Sequence, residues 1–145
     1  SMAKQGEGLK KEERLCSRKL IDTLFGTGGS HAMTSFPLKA VYRLIGRTDA
    51  TNGELQMGKA SSRADVQILV SVPKKHFKRA VKRNRVKRQV REAYRKHKQL
   101  LFPRMAEMAD KRLLIAFIWL SNELTSSVTV EEKVENLLHR IGERI

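Results

Sequence analysis

Residues 66–98 read VQILVSVPKKHFKRAVKRNRVKRQVREAYRKHK, and residues 113–120 read LLIAFIWL. Val66 to Val72 is rich in β-branched residues and closes at Pro73, which predicts a strand. From about Phe77 to Leu101 the spacing of apolar residues predicts a helix, with Pro103 stopping it. Leu113 to Leu120 is almost wholly apolar but strand-sized, which predicts a strand buried on both faces. A strand, a helix and a strand in succession predict a parallel pair joined by a crossover.

Outward from this unit, Ser17 can cap a short helix in which Leu20, Ile21, Leu24 and Phe25 form an apolar stripe; Gly26, Gly28 and Gly29 end it. An extended piece around His31–Thr34 precedes a firmer strand from Leu38 to Leu44. There Leu38, Ala40, Tyr42 and Leu44 share one face, and Lys39, Val41 and Arg43 share the other. Residues 45–63 are rich in Gly, Thr, Asn and Ser and read as a long hairpin connection. On the C-terminal side, Thr129-Val130-Glu131-Glu132 matches a capping box. It is expected to open a helix with Val134, Leu137, Leu138, Ile141 and Ile145 on one stripe. The expected fold class is an α+β layered sandwich in one domain over 15–145, after a flexible segment over 1–14 whose Ser1 reads as a cloning remnant.

The chain has 145 residues, 30 basic against 15 acidic, a formal net charge of +15 and a pI near 10.5. Such an excess makes a compact domain repel itself, and a polyanion is the natural partner to relieve it. No apolar run approaches the ~20 residues of a membrane-spanning helix. The polar, basic start does not resemble a signal peptide, and the single Cys16 cannot form an internal disulfide, so a cytoplasmic protein is expected.

The charge is concentrated. Residues 74–98 hold 13 of the 30 basic residues and one acid, Glu92. On a helical wheel Val86, Val90, Ala93 and Tyr94 fall on one stripe. Asn84, Lys87, Arg88, Arg91 and Arg95 share the opposite one, with Arg83 and Arg85 on its flanks. A merely solvated face mixes signs; this one is cationic nearly throughout, which reads as a phosphate-binding surface. Arginine adds a planar fork that takes two phosphate oxygens and can stack on a base.

Arg83-Asn84-Arg85, followed by Val86-Lys87-Arg88-Gln89-Val90-Arg91-Glu92-Ala93-Tyr94-Arg95 and preceded by Ala80-Val81, closely resembles the RNR helix of the bacterial ribonuclease P protein family. Arg14-Leu15 with Leu20 to Phe25, the strand carrying Tyr42, Val70-Ser71-Val72-Pro73-Lys74-Lys75 and the final helix extend the resemblance over about residues 14–145. The chain departs from many members at Lys75-His76-Phe77-Lys78-Arg79, where they carry a Gly-Asn pair and one residue fewer. The resemblance implies an αβββαβα two-layer sandwich similar to the second domain of a ribosomal small-subunit protein, with a left-handed strand–helix–strand crossover. It also implies a subunit of an endoribonuclease whose RNA does the chemistry, removing the 5′ leader of precursor tRNA with Mg²⁺ bound through that RNA and its phosphates.

By the same resemblance Arg83, Asn84, Arg85, Lys87, Arg88, Arg91 and Arg95 would bind the RNA subunit. Ile21, Phe25, Ala40 and Tyr42 would line a cleft for the precursor-tRNA leader, with Lys74 and Lys75 at its edge. At such spacings Phe25 and Tyr42 read equally well as core packing residues.

No catalytic residue or metal ligand is assigned to the polypeptide. His31, His76, His97 and His139 are scattered, paired carboxylates are missing near the cationic helix, and Gly26 to Gly29 lack a following Lys-Ser/Thr. No membrane and no protein partner is expected. The alternatives are a ribosome-associated RNA-binding protein of the same fold without a role in cleavage, a helix-turn-helix DNA reader and a membrane-surface helix.

Overall fold

The computed structural model describes residues 9–26, 28–46 and 65–145. Its elements are α1 (Arg18–Phe25), β1 (His31–Ser35), β2 (Leu38–Gly46), β3 (Val66–Ser71), α2 (Ala80–His97), a short α3 (Phe102–Ala106), β4 (Lys111–Trp119) and α4 (Ser127–Arg144). The expected αβββαβα order is present, with α3 inserted. Beyond residue 46, the connection expected over 45–63 lies outside the described residues.

The strands form one sheet in the order β1-β2-β4-β3, with β4 antiparallel to β2 and parallel to β3. β4 is central, and this explains its composition: Leu113, Ile115, Phe117 and Trp119 enter the large core, while Leu114 and Ala116 enter a smaller one on the opposite face. The large core is closed by Val86, Val90, Ala93 and Tyr94 of α2 and Val130, Val134, Leu137, Leu138 and Ile141 of α4. The small one is closed by Leu20 and Leu24 of α1. Ser17 caps α1 as expected, its hydroxyl accepting from the Leu20 amide at 3.2 Å.

Three boundaries differ from the sequence reading. α4 starts one turn early, because Ser126 rather than Thr129 is the cap; the Ser126 hydroxyl accepts from the Thr129 amide at 3.1 Å. Pro103 does not simply stop the long helix. It sits in the first turn of α3, where its missing amide proton has no intrahelical role. Residues 9–14, assigned to a flexible segment, belong to the domain. Leu9 is buried, Lys11–Glu13 form a 3₁₀ turn, and Arg14 bridges Ile68 on the outer edge of β3.

That bridge also settles the hand of the crossover. In a strand running upward, an L-residue whose side chain points at the viewer directs its own amide and carbonyl to the viewer's right. Ile68 points into the core with α2, and its carbonyl accepts from the Leu15 amide at 2.7 Å. Seen from the helical side, the N-terminal segment therefore lies to the right of β3 and β4 to its left. A right-handed crossover would put β4 on the right, so β3–α2–β4 is left-handed, an exception to the usual rule.

Candidate nucleic-acid interface

α2 is held by one stripe. Val86 and Val90 have no exposed surface, and Ala93 and Tyr94 are nearly covered. Burial pushes the Tyr94 hydroxyl above its ordinary range. Everything else on α2 projects outward or sideways, so helix docking itself aims the cations at solvent. Asn84, Arg85 and Arg88 are exposed, and Arg83, Lys87, Arg91 and Arg95 are half-buried.

The seven residues expected to meet the RNA subunit are brought together on one helix, but they are not equivalent. Arg83 turns back, and its Nη1 donates to the carbonyls of Phe77 and Lys78 at 2.9 and 2.8 Å. It braces the approach to α2, whose N-cap Arg79 offers no side-chain acceptor. Arg95 is held by Glu92 through a two-pronged contact at 3.1 and 2.7 Å. That contact keeps the Glu92 carboxyl below its usual range. Further along, Lys96 and His97 face Glu131 at 3.8 and 2.8 Å, and Lys98 pairs with Glu13 at 2.6 Å.

The acids thus gather at the C-terminal end of α2. Among the described residues, no carboxylate pairs with Lys78, Arg79, Lys82, Arg85, Lys87, Arg88 or Arg91. The unbalanced charge occupies the N-terminal two-thirds of the helix and its approach. Sequence reading saw a uniform stripe, because Glu13 and Glu131 come from distant segments.

The six residues expected at the leader are divided by the sheet. Ile21 is half-buried and Phe25 is 47% exposed on α1, on one face. Ala40 and Tyr42 point to the other face, into the large core, where Ala40 has no exposed surface and Tyr42 has 3%. Ala40 is therefore corrected to a core residue. Tyr42 also lines a recess of about 380 Å³ together with His31, Arg144 and Ile145. Lys74 and Lys75 are exposed ahead of α2.

Strand parity explains the split. The residues of β2 on the α1 face are Lys39, Val41, Arg43 and Ile45. Lys39 pairs in register with Ile118, which pairs with Ser71, and this half-buried row crosses the open part of that face toward Lys74. The alternation of β2 contained both faces; which one α1 leaves open was not readable from it.

An α+β sandwich that presents one helix with an unbalanced cationic face defines a nucleic-acid-binding protein. A family profile described as Ribonuclease P matches residues 9–142. The chain is 44% identical over 135 residues to the ribonuclease P protein component of Porphyromonas gingivalis, covering 93% of this chain and 87% of that protein. It is 32% identical over 142 residues to the component from Chlorobium phaeobacteroides, covering 92% and 87%. The solved ribonuclease P protein of Thermotoga maritima shares the fold, with a TM-score of 0.59 at 24% identity over 88% of this chain and 96% of that one. The chain belongs to the ribonuclease P protein family. It is a protein component of a tRNA-processing enzyme, and its partner is the ribonuclease P RNA. No helix among the described residues is long and apolar enough to cross a membrane.

Proposed function

We propose that the chain docks the catalytic RNA subunit on the outer face of α2 and holds the 5′ leader of precursor tRNA, while the RNA carries out the cleavage. The observation that carries the RNA-docking part is the run of cations from Lys78 to Arg91 without a carboxylate partner among the described residues. Leaving such charge unpaired destabilises the free protein, and RNA phosphates offset the repulsion with release of counterions. Mg²⁺ belongs to the RNA and its phosphates in this reading. Among the described residues no three His, Cys, Asp or Glu side chains come together as a metal site.

Reconstitution tests this reading. The protein with a bacterial ribonuclease P RNA and Mg²⁺ should release the leader from precursor tRNA, and the protein alone should release none. RNA-free turnover by the purified chain would overturn the assignment of the chemistry to RNA.

For the leader, the open α1 face is the better surface: Ile21, Phe25 and Lys39, with Lys74 and Lys75 beyond. Apolar and aromatic groups there meet bases, and the lysines meet phosphates. Phe25→Ala in the reconstituted enzyme should weaken precursor tRNA by about 1–3 kcal/mol, one stacked base, and leave mature tRNA unchanged. Tyr42→Ala should lower the melting temperature and affect both tRNAs alike. The opposite pattern in the two variants would move the leader to the recess by Tyr42.

A further inference from the structure

Residues 10–15 run beside the C-terminal half of α2. Three contacts set their path. Lys98 Nζ donates to the Glu13 carboxylate at 2.6 Å, Gln67 Nε2 donates to the Glu12 carbonyl at 3.0 Å, and the Leu15 amide donates to the Ile68 carbonyl at 2.7 Å. Because the segment bridges β3 in parallel, it travels along α2 against the helix direction. Glu13 stands by Lys98 and lines a recess with Tyr94. Arg14 then comes one turn further back along the edge between the apolar and cationic stripes, where Arg91, Tyr94 and Lys98 neighbour one another at helical spacing.

Arg91 responds to that neighbour. Burial, and then the charge of Arg14, push its pKa below the ordinary value. Glu13 neutralises Lys98 on the next turn, yet neither Arg14 nor Arg91 meets a carboxylate among the described residues. Arg14 is exposed and Arg91 half-buried, so both side chains reach solvent. Each planar guanidinium fork offers several N–H donors, and together the two side chains bring two positive charges to this edge of α2. A single tetrahedral anion is the chemistry that fits.

We propose that Arg14 and Arg91 clamp one backbone phosphate of the RNA subunit between them, carrying the RNA-binding surface off α2 onto the N-terminal segment. The clamp rests on the RNA-docking role of α2 proposed above. It also gives the contacts of residues 12–15 with β3 and Lys98 a purpose, because they hold Arg14 against its repulsion from Arg91.

The test is binding of a bacterial ribonuclease P RNA transcript to the full chain and to Arg14→Gln, Arg91→Gln and the double variant, over a range of salt. Each single variant should weaken binding about tenfold and flatten the slope of log affinity on log salt by about 0.9, one phosphate. The double variant should lose about ten- to twentyfold, well short of the roughly hundredfold that additive losses would give, since the shared phosphate is already released. Arg14→Gln should keep or raise the melting temperature of the free protein, because it removes a repulsion. Wild-type affinity in Arg14→Gln would overturn the clamp and leave docking on α2 standing. Additive losses, with the slope falling by about two phosphates in the double variant, would also overturn it in favour of separate contacts. Failure of the folded wild-type chain to bind the RNA would instead overturn the docking role itself.

Discussion

Changing Arg85 and Arg88 together to alanine is expected to weaken binding of ribonuclease P RNA by about 10- to 100-fold near physiological salt. Both side chains are exposed on the outer face of α2, and neither has a carboxylate partner among the described residues. Each phosphate neutralised contributes about 0.7–0.9 to the slope of log affinity on log salt, so the slope should flatten by about 1.4–1.8. The fold should not suffer. Neither residue supports the core, and like charges one turn apart repel by about 0.2–0.5 kcal/mol, so the melting temperature should hold or rise slightly. Titrations at several salt concentrations, with a melting curve for the variant, check both halves. An unchanged slope would place the phosphate contacts on another surface.

Phe117→Ala is expected to produce the largest loss of stability, about 3–5 kcal/mol. Phe117 has no exposed surface and lies in β4, in register with Ala40 on one side and Val70 on the other. Its ring stands 6.4 Å from that of Tyr94 at a 55° tilt, which makes it an aromatic contact between the sheet and α2. Truncation leaves a cavity beneath the helix that carries the RNA surface. Domains of this size are stable by only about 5–15 kcal/mol, so the melting temperature should fall by roughly 10–20 °C. RNA binding should disappear over the same thermal transition, whereas the Arg85 and Arg88 variant loses affinity while folded. A shift of only a few degrees would show that this contact does not hold α2 in place.

Much of this was legible in the residues themselves, for a physical reason in each case. β4 had to be buried on both faces because Leu113 to Leu120 offers water almost nothing polar. α2 had to dock by Val86, Val90, Ala93 and Tyr94, since no other stripe of that helix is apolar, and this alone turned its arginines outward. Ser17 was readable as the α1 cap because capping is local, needing only a hydroxyl three residues before an amide. α4 shows the limit of local reading. Ser126 and Thr129 can both cap a helix, and Ser126 took the role where the loop passes Gln89, whose amide holds the Thr125 carbonyl and the Ser127 hydroxyl.

Tertiary structure decided whatever depends on which segments meet. The sequence determined that 13 cations lie between residues 74 and 98, but not which of them stay unpaired. Glu13 and Glu131 arrive from both ends of the chain to neutralise the C-terminal turn of α2. The alternation of β2 determined two faces, but packing of α4 on one and of the shorter α1 on the other buried Ala40 and Tyr42 and left Lys39 half-buried. The N-terminal residues looked loose because their composition is polar; β3 has a free edge that accepts them, and this brought Glu13 to Lys98. Periodicity and charge run along the chain and can be read from it, whereas an edge, a face left open or a partner from a distant segment exists only once the chain has folded.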